Sequence, residues 1–427
     1  METTLINQNK HWTGKKYAGL INRQLLQRLL LHKNTKEVQI LLGIRRSGKS
    51  TMFKLFINEL LKNKSGKTVL YINFDDPNYY ETWKNASLIY RIIEGAEKIT
   101  SGKIQYLFLD EIQNVDAWEK FVKSIYDSGV FKKIFVTGSN SSLLEGDYTK
   151  MLSGRYIAHY VYPLSFDEIK SFEKINNQIS LLQNKSKVMV LSENILQYGS
   201  FPEIFKQKKQ QVKEDILNSY FETILLKDCI ASKNIRDIRT FKEFTIYLIS
   251  NLATPYSYNS IAKAIGSNDG TIKDYFASLS DAFLIYEINQ FSFKFKEQIK
   301  SNKKAYCIDN GLIHIASEKF SANSGKIFEN LVFNELIKLG FNQIYYYSDN
   351  AECDFIVKQN RTLMAFQVCF ELNAGNIDRE RSGIEKAMKQ LGITIGYIIT
   401  MDKPSIKTNK NEVIPFWELE KIVKLVI

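Results

Sequence analysis

Residues 43–51 read Gly-Ile-Arg-Arg-Ser-Gly-Lys-Ser-Thr, and a short apolar run of strand type, residues 37–42, precedes them. Glycines at this spacing let successive backbone N–H groups turn inward around a phosphate, while the lysine reaches the β and γ phosphates and the serine hydroxyl can hold Mg²⁺. Apolar residues recur at helical spacing over residues 49–61, so the amino terminus of a predicted helix points at the anion. The stretch predicts a phosphate-binding loop between a strand and a helix.

A hydrophobic run, residues 106–109, ends in two carboxylates, Asp110 and Glu111. An acid at the end of a buried strand is placed to hold Mg²⁺ through water, so we expect Asp110 and Ser50 to bind the metal. Glu111 is placed to polarise a water molecule against the γ phosphate. A second acid at this point favours hydrolysis over the chemistry of a small-molecule kinase.

The next predicted strand, residues 134–137, ends in a polar cluster, residues 138–142. Ligands of open α/β folds bind at this edge of the sheet. Thr137, Ser139 or Asn140 could sense the γ phosphate or the attacking water, and the sequence does not choose among them. The residues expected to bind the nucleotide are Gly43, Arg46, Ser47, Gly48, Lys49, Ser50, Thr51 and Ser139.

Arg155 follows a polar loop in the segment Leu152-Ser153-Gly154-Arg155. An arginine can stabilise phosphoryl transfer from its own subunit or from a neighbouring one, and the sequence leaves both open. The predicted catalytic set is therefore Glu111, Lys49 and Arg155.

Strand and helix patterns alternate from residue 37 to about residue 165, which is typical of a parallel sheet wrapped by helices. The predicted strands of this α/β part are residues 37–42, 69–74, 106–109 and 134–137. Helical periodicity then predicts a lid, and the last hundred residues return to a mixed α/β pattern. The predicted parts are residues 1–165, 166–241, 242–323 and 324–427.

Residues 260–284 have helix-turn-helix spacing, and the alternating residues 283–295 suggest the strand of a wing. The second helix carries Asp269, Lys273, Asp274 and Asp281 and is net negative, where phosphate contact requires the opposite charge. This favours a packing module over a DNA sequence reader. Only the wing is basic, with Lys294, Lys296, Lys300, Lys303 and Lys304.

The chain has 427 residues, which is enough for two or three domains with their own cores. No apolar stretch approaches a membrane span, and the polar, basic start has no signal-peptide core, so we expect a cytoplasmic protein without a membrane partner. The four cysteines are far apart, which argues against a disulfide framework or a structural zinc site.

The net charge is +12, and residues 1–36 contribute +6 of it through seven basic residues and one acidic residue. A basic arm of this kind can bind nucleic acid or another polyanion. It can equally be a solvated arm, and composition does not decide.

These residues together resemble the prokaryotic AAA-type ATPases, specifically the group with a C-terminal domain of uncharacterised function and restriction-endonuclease-like fold. The resemblance runs from about Arg23 to Trp417. It implies a P-loop ATPase core, a helical lid, a winged-helix segment and a nuclease-like end. The matching segments are residues 43–51, 73–76, 109–113 with Trp118, 137–139, 153–155, 163–166 and 199–203.

Nucleases of that class bind Mg²⁺ through a helix Glu, a strand Asp and a Glu-x-Lys on the next strand. The corresponding residues here are Glu329, Asp354 and Gln367. Gln367 is a weaker, neutral ligand, and Cys369 cannot supply the missing ammonium. Lys358 could replace it, although nothing in the sequence indicates this. The departures favour a structural or recognition role over cleavage, and Arg379 and Arg381 keep nucleic-acid contact open.

The sequence thus predicts an ATP-binding, Mg²⁺-dependent ATPase whose nucleotide state repositions its C-terminal half. Two alternatives stay open, namely a metal-dependent nuclease regulated by ATP and a nucleotide switch or DNA-binding adaptor that does not hydrolyse ATP. Nucleic acid, an unidentified protein and further copies of the chain are all open as partners.

Overall fold

The computed structural model describes residues 2–141, 152–317, 324–349, 351–402 and 413–422. The chain forms two compact units, Met1–Tyr162 and Pro163–Ile427. The boundary lies close to residue 165, where the sequence predicts the end of the core. The further divisions after residues 241 and 323 stay predictions.

The N-terminal unit is built on a parallel sheet of five strands in the order β2-β3-β4-β1-β5. The strands are β1 (Val38–Leu42), β2 (Val69–Asn73), β3 (Tyr106–Asp110), β4 (Lys133–Gly138) and β5 (Tyr156–Tyr160). The helices among its described residues include α1 (Glu2–Gln8), α2 (Leu25–Leu31), α3 (Lys49–Leu60), α4 (Tyr80–Trp83), α5 (Leu88–Thr100) and α6 (Trp118–Ser128). The parallel α/β sheet is confirmed, but the sequence did not predict β5, an edge strand in which only His159 is fully buried.

Aromatic side chains fix α3 against the sheet. Phe53 and Phe56 lie on the same face of α3 and pack on Phe108 of β3 and Phe135 of β4, with ring centroids 4.6–6.1 Å apart. Phe108 and Phe135 stack on each other with centroids 4.4 Å apart. Such pairs stabilise by about 0.5–1.5 kcal/mol each beyond simple burial. This packing sets the position at which α3 begins.

The amino-terminal segment is folded rather than a free arm. Strand β2 lies at a sheet edge, and side chains of this segment satisfy its outward backbone groups. Asn9 accepts from Tyr71 N at 2.7 Å and donates to Tyr71 O at 2.9 Å. His11 Nε2 and Trp12 Nε1 lie 3.1 and 2.7 Å from Val69 O. The expectation of a basic arm is therefore wrong for this part of the segment.

Strands β1, β3 and β4 end at the same edge of the sheet. The register pairs Leu42 with Gly138, and Asp110 is the last residue of β3. The loop after β1, the acids after β3 and the polar residues after β4 therefore share this carboxyl edge.

The C-terminal unit begins with helices. They are α7 (Phe166–Phe172), α8 (Gln178–Gln183), α9 (Lys185–Tyr198), α10 (Pro202–Lys206), α11 (Gln210–Thr223), a π-helix (Ile224–Ala231), α12 (Ile238–Ser250), α13 (Tyr258–Ile265) and α14 (Asp269–Asp281). Nowhere in the described ranges is a helix both long and apolar enough to cross a membrane.

An antiparallel pair of strands, β6 (Ile285–Asn289) and β7 (Lys303–Cys307), follows α14. The order matches the predicted helix-turn-helix and wing, although the winged-helix fold itself stays a proposal. The predicted wing strand was too long, because β6 ends at Asn289 and residues Phe295–Lys300 form a short helix, α15. Two further helices are α16 (Asn310–Ala316) and α17 (Ser324–Lys338).

A second sheet of five strands completes this unit, in the order β12-β11-β10-β9-β8. Strands β8, β9 and β10 are antiparallel neighbours, whereas β10, β11 and β12 are parallel. The elements are β8 (Gln343–Asp349), β9 (Ala351–Gln359), β10 (Thr362–Cys369), α18 (Ile377–Leu391), β11 (Ile395–Thr400) and β12 (Val413–Pro415). The mixed α/β pattern is as predicted.

Two histidines of the N-terminal unit are buried as neutral side chains. Burial lowers the pKa of His11 to about 4, against the raising effect of its bond to Val69 O. Burial, followed by the charges of Arg28, His32 and Lys133, lowers the pKa of His159 to about 4. His159 Nε2 is 2.5 Å from the side-chain oxygen of Gln39.

We expect the stability of the N-terminal unit to fall between pH 6.5 and about pH 4. The unfolded chain binds protons at these histidines below pH 6.5, but the folded chain does so only near pH 4, so acid favours unfolding by up to about 3 kcal/mol for each histidine. The variant His159→Gln should show a shallower loss of stability, measured by hydrogen exchange of β1 as a function of pH.

The matched control is His314→Gln, which changes a histidine of the other unit and should leave the pH dependence at β1 unchanged. Equal slopes in the wild-type chain and His159→Gln would contradict the assignment.

Candidate nucleotide site and C-terminal carboxylate cluster

The loop after β1 has the backbone of an anion cradle. Gly43 and Gly48 have φ of +148° and +104°, and a Cβ on Gly43 would lie 2.2 Å from Val161 O, so only glycine fits there. No side chain caps the amino end of α3 at Gly48, which leaves that end available to an anion. Ser47 Oγ is buried and, within the described parts of the chain, has no hydrogen-bond partner. The cradle fits a phosphate group.

Lys49 is buried at the start of α3 and points back into the loop. Its ammonium donates to Gly43 O at 2.9 Å and to Ile44 O at 3.2 Å, and it lies 3.9 Å from the Glu111 carboxylate. The lysine is thus held between the loop and Glu111, the acid that directly follows β3. Thr51 lies in the same first turn of α3, and Arg46 is exposed in the loop with φ of +70°.

Asp110 is fully buried and surrounded by hydroxyl groups. Thr137 donates to Asp110 Oδ1 at 2.5 Å, and Tyr71 donates to Oδ2 at 2.6 Å. The Ser50 hydroxyl is also hydrogen-bonded to this carboxylate. Burial and then the charge of Glu111 raise the pKa of Asp110, while the three hydroxyl bonds oppose the shift. The pair of Ser50 and Asp110 offers the oxygen ligands that Mg²⁺ prefers.

Glu111 has a left-handed backbone conformation, with φ of +52°. Its side chain is held by hydrogen bonds from two polar side chains. Its carboxylate accepts from Gln113 Nε2 at 2.5 Å and from Ser139 Oγ at 2.9 Å. Burial alone would raise the pKa of Glu111, but the charge of Lys49, the Gln113 bond and the charge of Arg45 outweigh it and lower the pKa. Glu111 is therefore poised as a charged base.

Gln113 is the functional candidate that sequence reasoning missed. It lies in a short 3-10 helix, Ile112–Asn114, directly after the acids, and it contacts both Glu111 and Ser139. The signal in the sequence was an amide two residues after the second acid. Of the three residues left open at the end of β4, Thr137 binds Asp110 and Ser139 binds Glu111, while Asn140 is buried.

Arg155 lies at the wrong edge of the sheet for the site of its own subunit. Its carbonyl accepts from Val38 N at 2.8 Å, which places it beside the amino end of β1, whereas the loop follows the carboxyl end. The Arg155 guanidinium pairs with Asp127 at 3.3 Å. Of the two alternatives left open by the sequence, the geometry disfavours action of Arg155 on the nucleotide of its own subunit, because the length of β1 separates them.

Two residues of the suspected nuclease site, Glu329 and Asp354, lie beside a lysine, whereas Gln367 binds a different acid. Lys304 of β7 lies 3.0 Å from Glu329 Oε1 and 3.9 Å from Asp354 Oδ1. Tyr306 OH also donates to Glu329, at 2.7 Å, and Gln367 donates to Glu380 at 2.9 Å. The ammonium in this cluster is that of Lys304, whereas Lys358, which the sequence left open for this position, is exposed on β9.

The electrostatics of this cluster favour a fixed ion pair. Burial and the charge of Glu329 raise the pKa of Asp354 to about 8, with Lys304 opposing the shift. Burial works against the charge of Lys304, but Glu329 and Asp354 outweigh it and raise its pKa. Across the residues that the structure describes, no group of three or more His, Cys, Asp or Glu side chains is arranged to hold a metal ion. The ammonium occupies the position between the carboxylates.

Three family models match consecutive parts of the chain. One described as an AAA domain matches residues 35–170, which include every strand of the N-terminal sheet. Two described as domains of unknown function, DUF8612 and DUF4143, match residues 190–323 and 324–419.

Similar proteins occur in an archaeon and a bacterium. The uncharacterized protein MJ1544 of Methanocaldococcus jannaschii is 34% identical over 426 residues, covering 94% of this chain and 91% of that protein. An uncharacterized protein of Haemophilus influenzae is 31% identical over 362 residues, covering 83% and 88%.

Among solved structures, the ORC1 protein of Aeropyrum pernix in complex with DNA covers 73% of this chain and 96% of that one, with a TM-score of 0.32 and 11% identity. Cdc6p of Pyrobaculum aerophilum covers 73% and 98%, with a TM-score of 0.29 and 12% identity.

We expect Lys304→Met to destabilise the C-terminal unit by about 3–5 kcal/mol, because it leaves the Glu329 carboxylate buried without its ammonium. The double variant Lys304→Met/Glu329→Gln should recover a large part of that loss, since the uncompensated charge is gone. Urea unfolding followed by hydrogen exchange of α17 measures both.

The control is Lys358→Met, which removes the exposed lysine and should change the free energy of unfolding by less than about 0.5 kcal/mol. A double variant no more stable than Lys304→Met alone would show that the ion pair is not what holds the cluster.

Proposed function

The chain belongs to the family of MJ1544 from Methanocaldococcus jannaschii and carries an AAA domain, and from this premise we propose that it binds ATP with Mg²⁺ and hydrolyses the γ phosphate. The observation that carries the proposal is the convergence at one sheet edge of the anion cradle, the buried Lys49, the Ser50 and Asp110 pair, and the clamped Glu111. Each of these groups has a separate role in phosphoryl transfer to water.

The cradle and Lys49 bind and orient the phosphates. Ser50 and Asp110 would hold Mg²⁺, which would neutralise charge on the phosphate oxygens. Glu111 accepts a proton from the attacking water. Ser139 and Gln113 fix the direction of the Glu111 carboxylate, so they are positioning residues.

Arg155 can complete a nucleotide site only in a neighbouring copy of the chain. Its side chain is partly exposed, which leaves the guanidinium accessible beyond its pair with Asp127. This role requires a homo-oligomer. Light scattering would first have to show that the chain self-associates in the presence of ATP.

The nucleotide state can act on the segment that leads to the C-terminal unit through Arg23. This buried guanidinium donates to Ser47 O in the loop at 3.0 Å and to Tyr162 O, the last residue of the unit, at 2.6 Å. Gly43 also packs directly against the Val161 carbonyl. A shift of the loop on phosphate binding therefore moves residues 161–162, which supports the proposal that the nucleotide state repositions the C-terminal half.

We expect Lys49→Ala to lose ATP affinity at least tenfold, because the loop loses its phosphate cation. Glu111→Gln should keep the affinity and lower turnover by about 10²–10⁴-fold, since the base is gone. Gln113→Ala should keep the affinity and lower turnover by about 10–100-fold through misplacement of Glu111. Titration with fluorescent ATP and phosphate release measure the two quantities.

The control Lys103→Ala removes an exposed lysine of the same unit and should behave as the wild-type chain. Full affinity in Lys49→Ala would overturn the site, and ATP binding without phosphate release in the wild-type chain would favour a nucleotide switch over an enzyme.

We expect Arg23→Met to bind ATP within about threefold of the wild-type chain but to lose the nucleotide-dependent change around residues 161–162. The methionine keeps the apolar stem and removes both carbonyl bonds. Hydrogen exchange of a peptide spanning residues 158–168, with and without a non-hydrolysable ATP analogue, measures this change.

Arg23→Lys retains one donor and should keep part of the response. An unaltered response in Arg23→Met would show that Arg23 does not connect the loop to this segment.

A further inference from the structure

Three large apolar side chains are exposed on and next to α15. Phe293, Phe295 and Ile299 are 73%, 74% and 58% exposed. Together with Lys296 and Lys300 of the same helix they form a surface that we call the α15 patch. Exposed aromatic groups that cluster in this way mark interaction surfaces.

The exposure of these rings is built into the local structure. Ser292 Oγ donates to Glu297 at 2.7 Å, and Gln298 Nε2 donates to Ser292 O at 2.5 Å, which closes the turn into α15. Tyr346 fixes both ends of the segment, because its carbonyl accepts from Phe291 N at 2.7 Å and its hydroxyl donates to Asn302 O at 2.8 Å. These hydrogen bonds therefore fix the backbone of the segment that carries the exposed side chains of the α15 patch.

Charge and aromatic groups run side by side on this helix. Phe295 and Ile299 are four residues apart and share one face, and Lys296 and Lys300 share the adjacent face. The acid between them, Glu297, is paired with Lys294 at 3.0 Å. Among the described residues, Lys296 and Lys300 have no acidic partner within ion-pair distance. The net positive stripe is complementary to a polyanion.

We propose that the α15 patch binds single-stranded nucleic acid, with unpaired bases stacked on Phe293 and Phe295 and with backbone phosphates paired with Lys296 and Lys300. Base stacking on aromatic rings next to a basic track is the general way in which proteins hold single strands. In a duplex the bases are already stacked, so their faces cannot reach the rings. A membrane is the weaker fit, because α15 has only six residues and presents little apolar surface.

The test is fluorescence anisotropy of the full chain with a labelled thymidine 20-mer, a uridine 20-mer and a DNA duplex of 20 base pairs. We expect both single strands to bind more tightly than the duplex, and their ratio shows whether the chain prefers DNA or RNA. Phe293→Ser/Phe295→Ser should weaken single-strand binding at least twentyfold with an unchanged salt dependence. Lys296→Gln/Lys300→Gln should weaken binding and reduce the slope of log K against log salt by about 1.4.

Two matched controls use exposed residues elsewhere in the same unit. Ile179→Ser removes another exposed apolar side chain, and Lys208→Gln/Lys209→Gln changes the net charge by the same amount as the α15 lysine variant. Both should bind as the wild-type chain does. Thermal melting checks that the variants are folded, which we expect because all the changed side chains are exposed.

Three results would overturn the proposal. The first is an absence of single-strand binding in the wild-type chain, or equal losses in the patch variants and the controls. The second is loss of binding to vesicles of anionic lipid in the phenylalanine variant while nucleic-acid binding is kept, which would assign the patch to a membrane surface. The third is a change in the oligomeric state of the phenylalanine variant alone, which would assign it to a second copy of the chain.

Discussion

The Asp110 carboxylate has no exposed surface, and burying its charge costs free energy that only donors in fixed positions can offset. Those donors come from three different elements, namely Tyr71 from β2, Thr137 from β4 and Ser50 from α3. A slip of one residue in β2 or β4 would turn its hydroxyl to the other face of the sheet. The register of the sheet and the packing of α3 are thus constrained by one buried acid, and the proposed metal site is formed by the same contacts that stabilise the fold.

The C-terminal unit accommodates its buried acids differently. Glu329 and Asp354 are stabilised by a cation, Lys304, where Asp110 is stabilised by hydroxyl groups. Hydroxyl donors can exchange for a metal ion without leaving a charge unpaired, whereas removing a buried ammonium leaves a buried carboxylate without a compensating charge. This difference is consistent with the proposal that Asp110 belongs to a site that binds Mg²⁺, and it favours a fixed contact for Glu329.

The phosphate loop, α3 and the first four strands could be predicted because their signals are local, with glycine spacing, a helical stripe and apolar runs that end in acids. What was missed depends on contacts between distant residues. Lys304 contacts Glu329 from a strand for which the sequence indicated only a basic character. The position of Arg155 at the far edge of the sheet became clear only from the hydrogen bond between its carbonyl and Val38 N. The strand β5 was missed because an edge strand needs few buried residues. Gln113 was missed because its role depends on how Glu111 turns after β3.

Which basic segment is available to a polyanion also depends on contacts between distant residues. The first 36 residues carry half of the net charge, but side chains of residues 9–12 bind β2 and Arg23 is buried between carbonyl groups. The exposed large apolar side chains of that segment are Ile6 and Leu31, neither of them aromatic. Charge alone attracts a polyanion in a way that salt screens, whereas a ring adds an attraction that salt does not weaken. The number of lysines alone therefore suggests one end of the chain as the surface for a polyanion. Exposed rings coincide at α15 with lysines that have no acidic partner in the described structure, and this coincidence favours α15 instead.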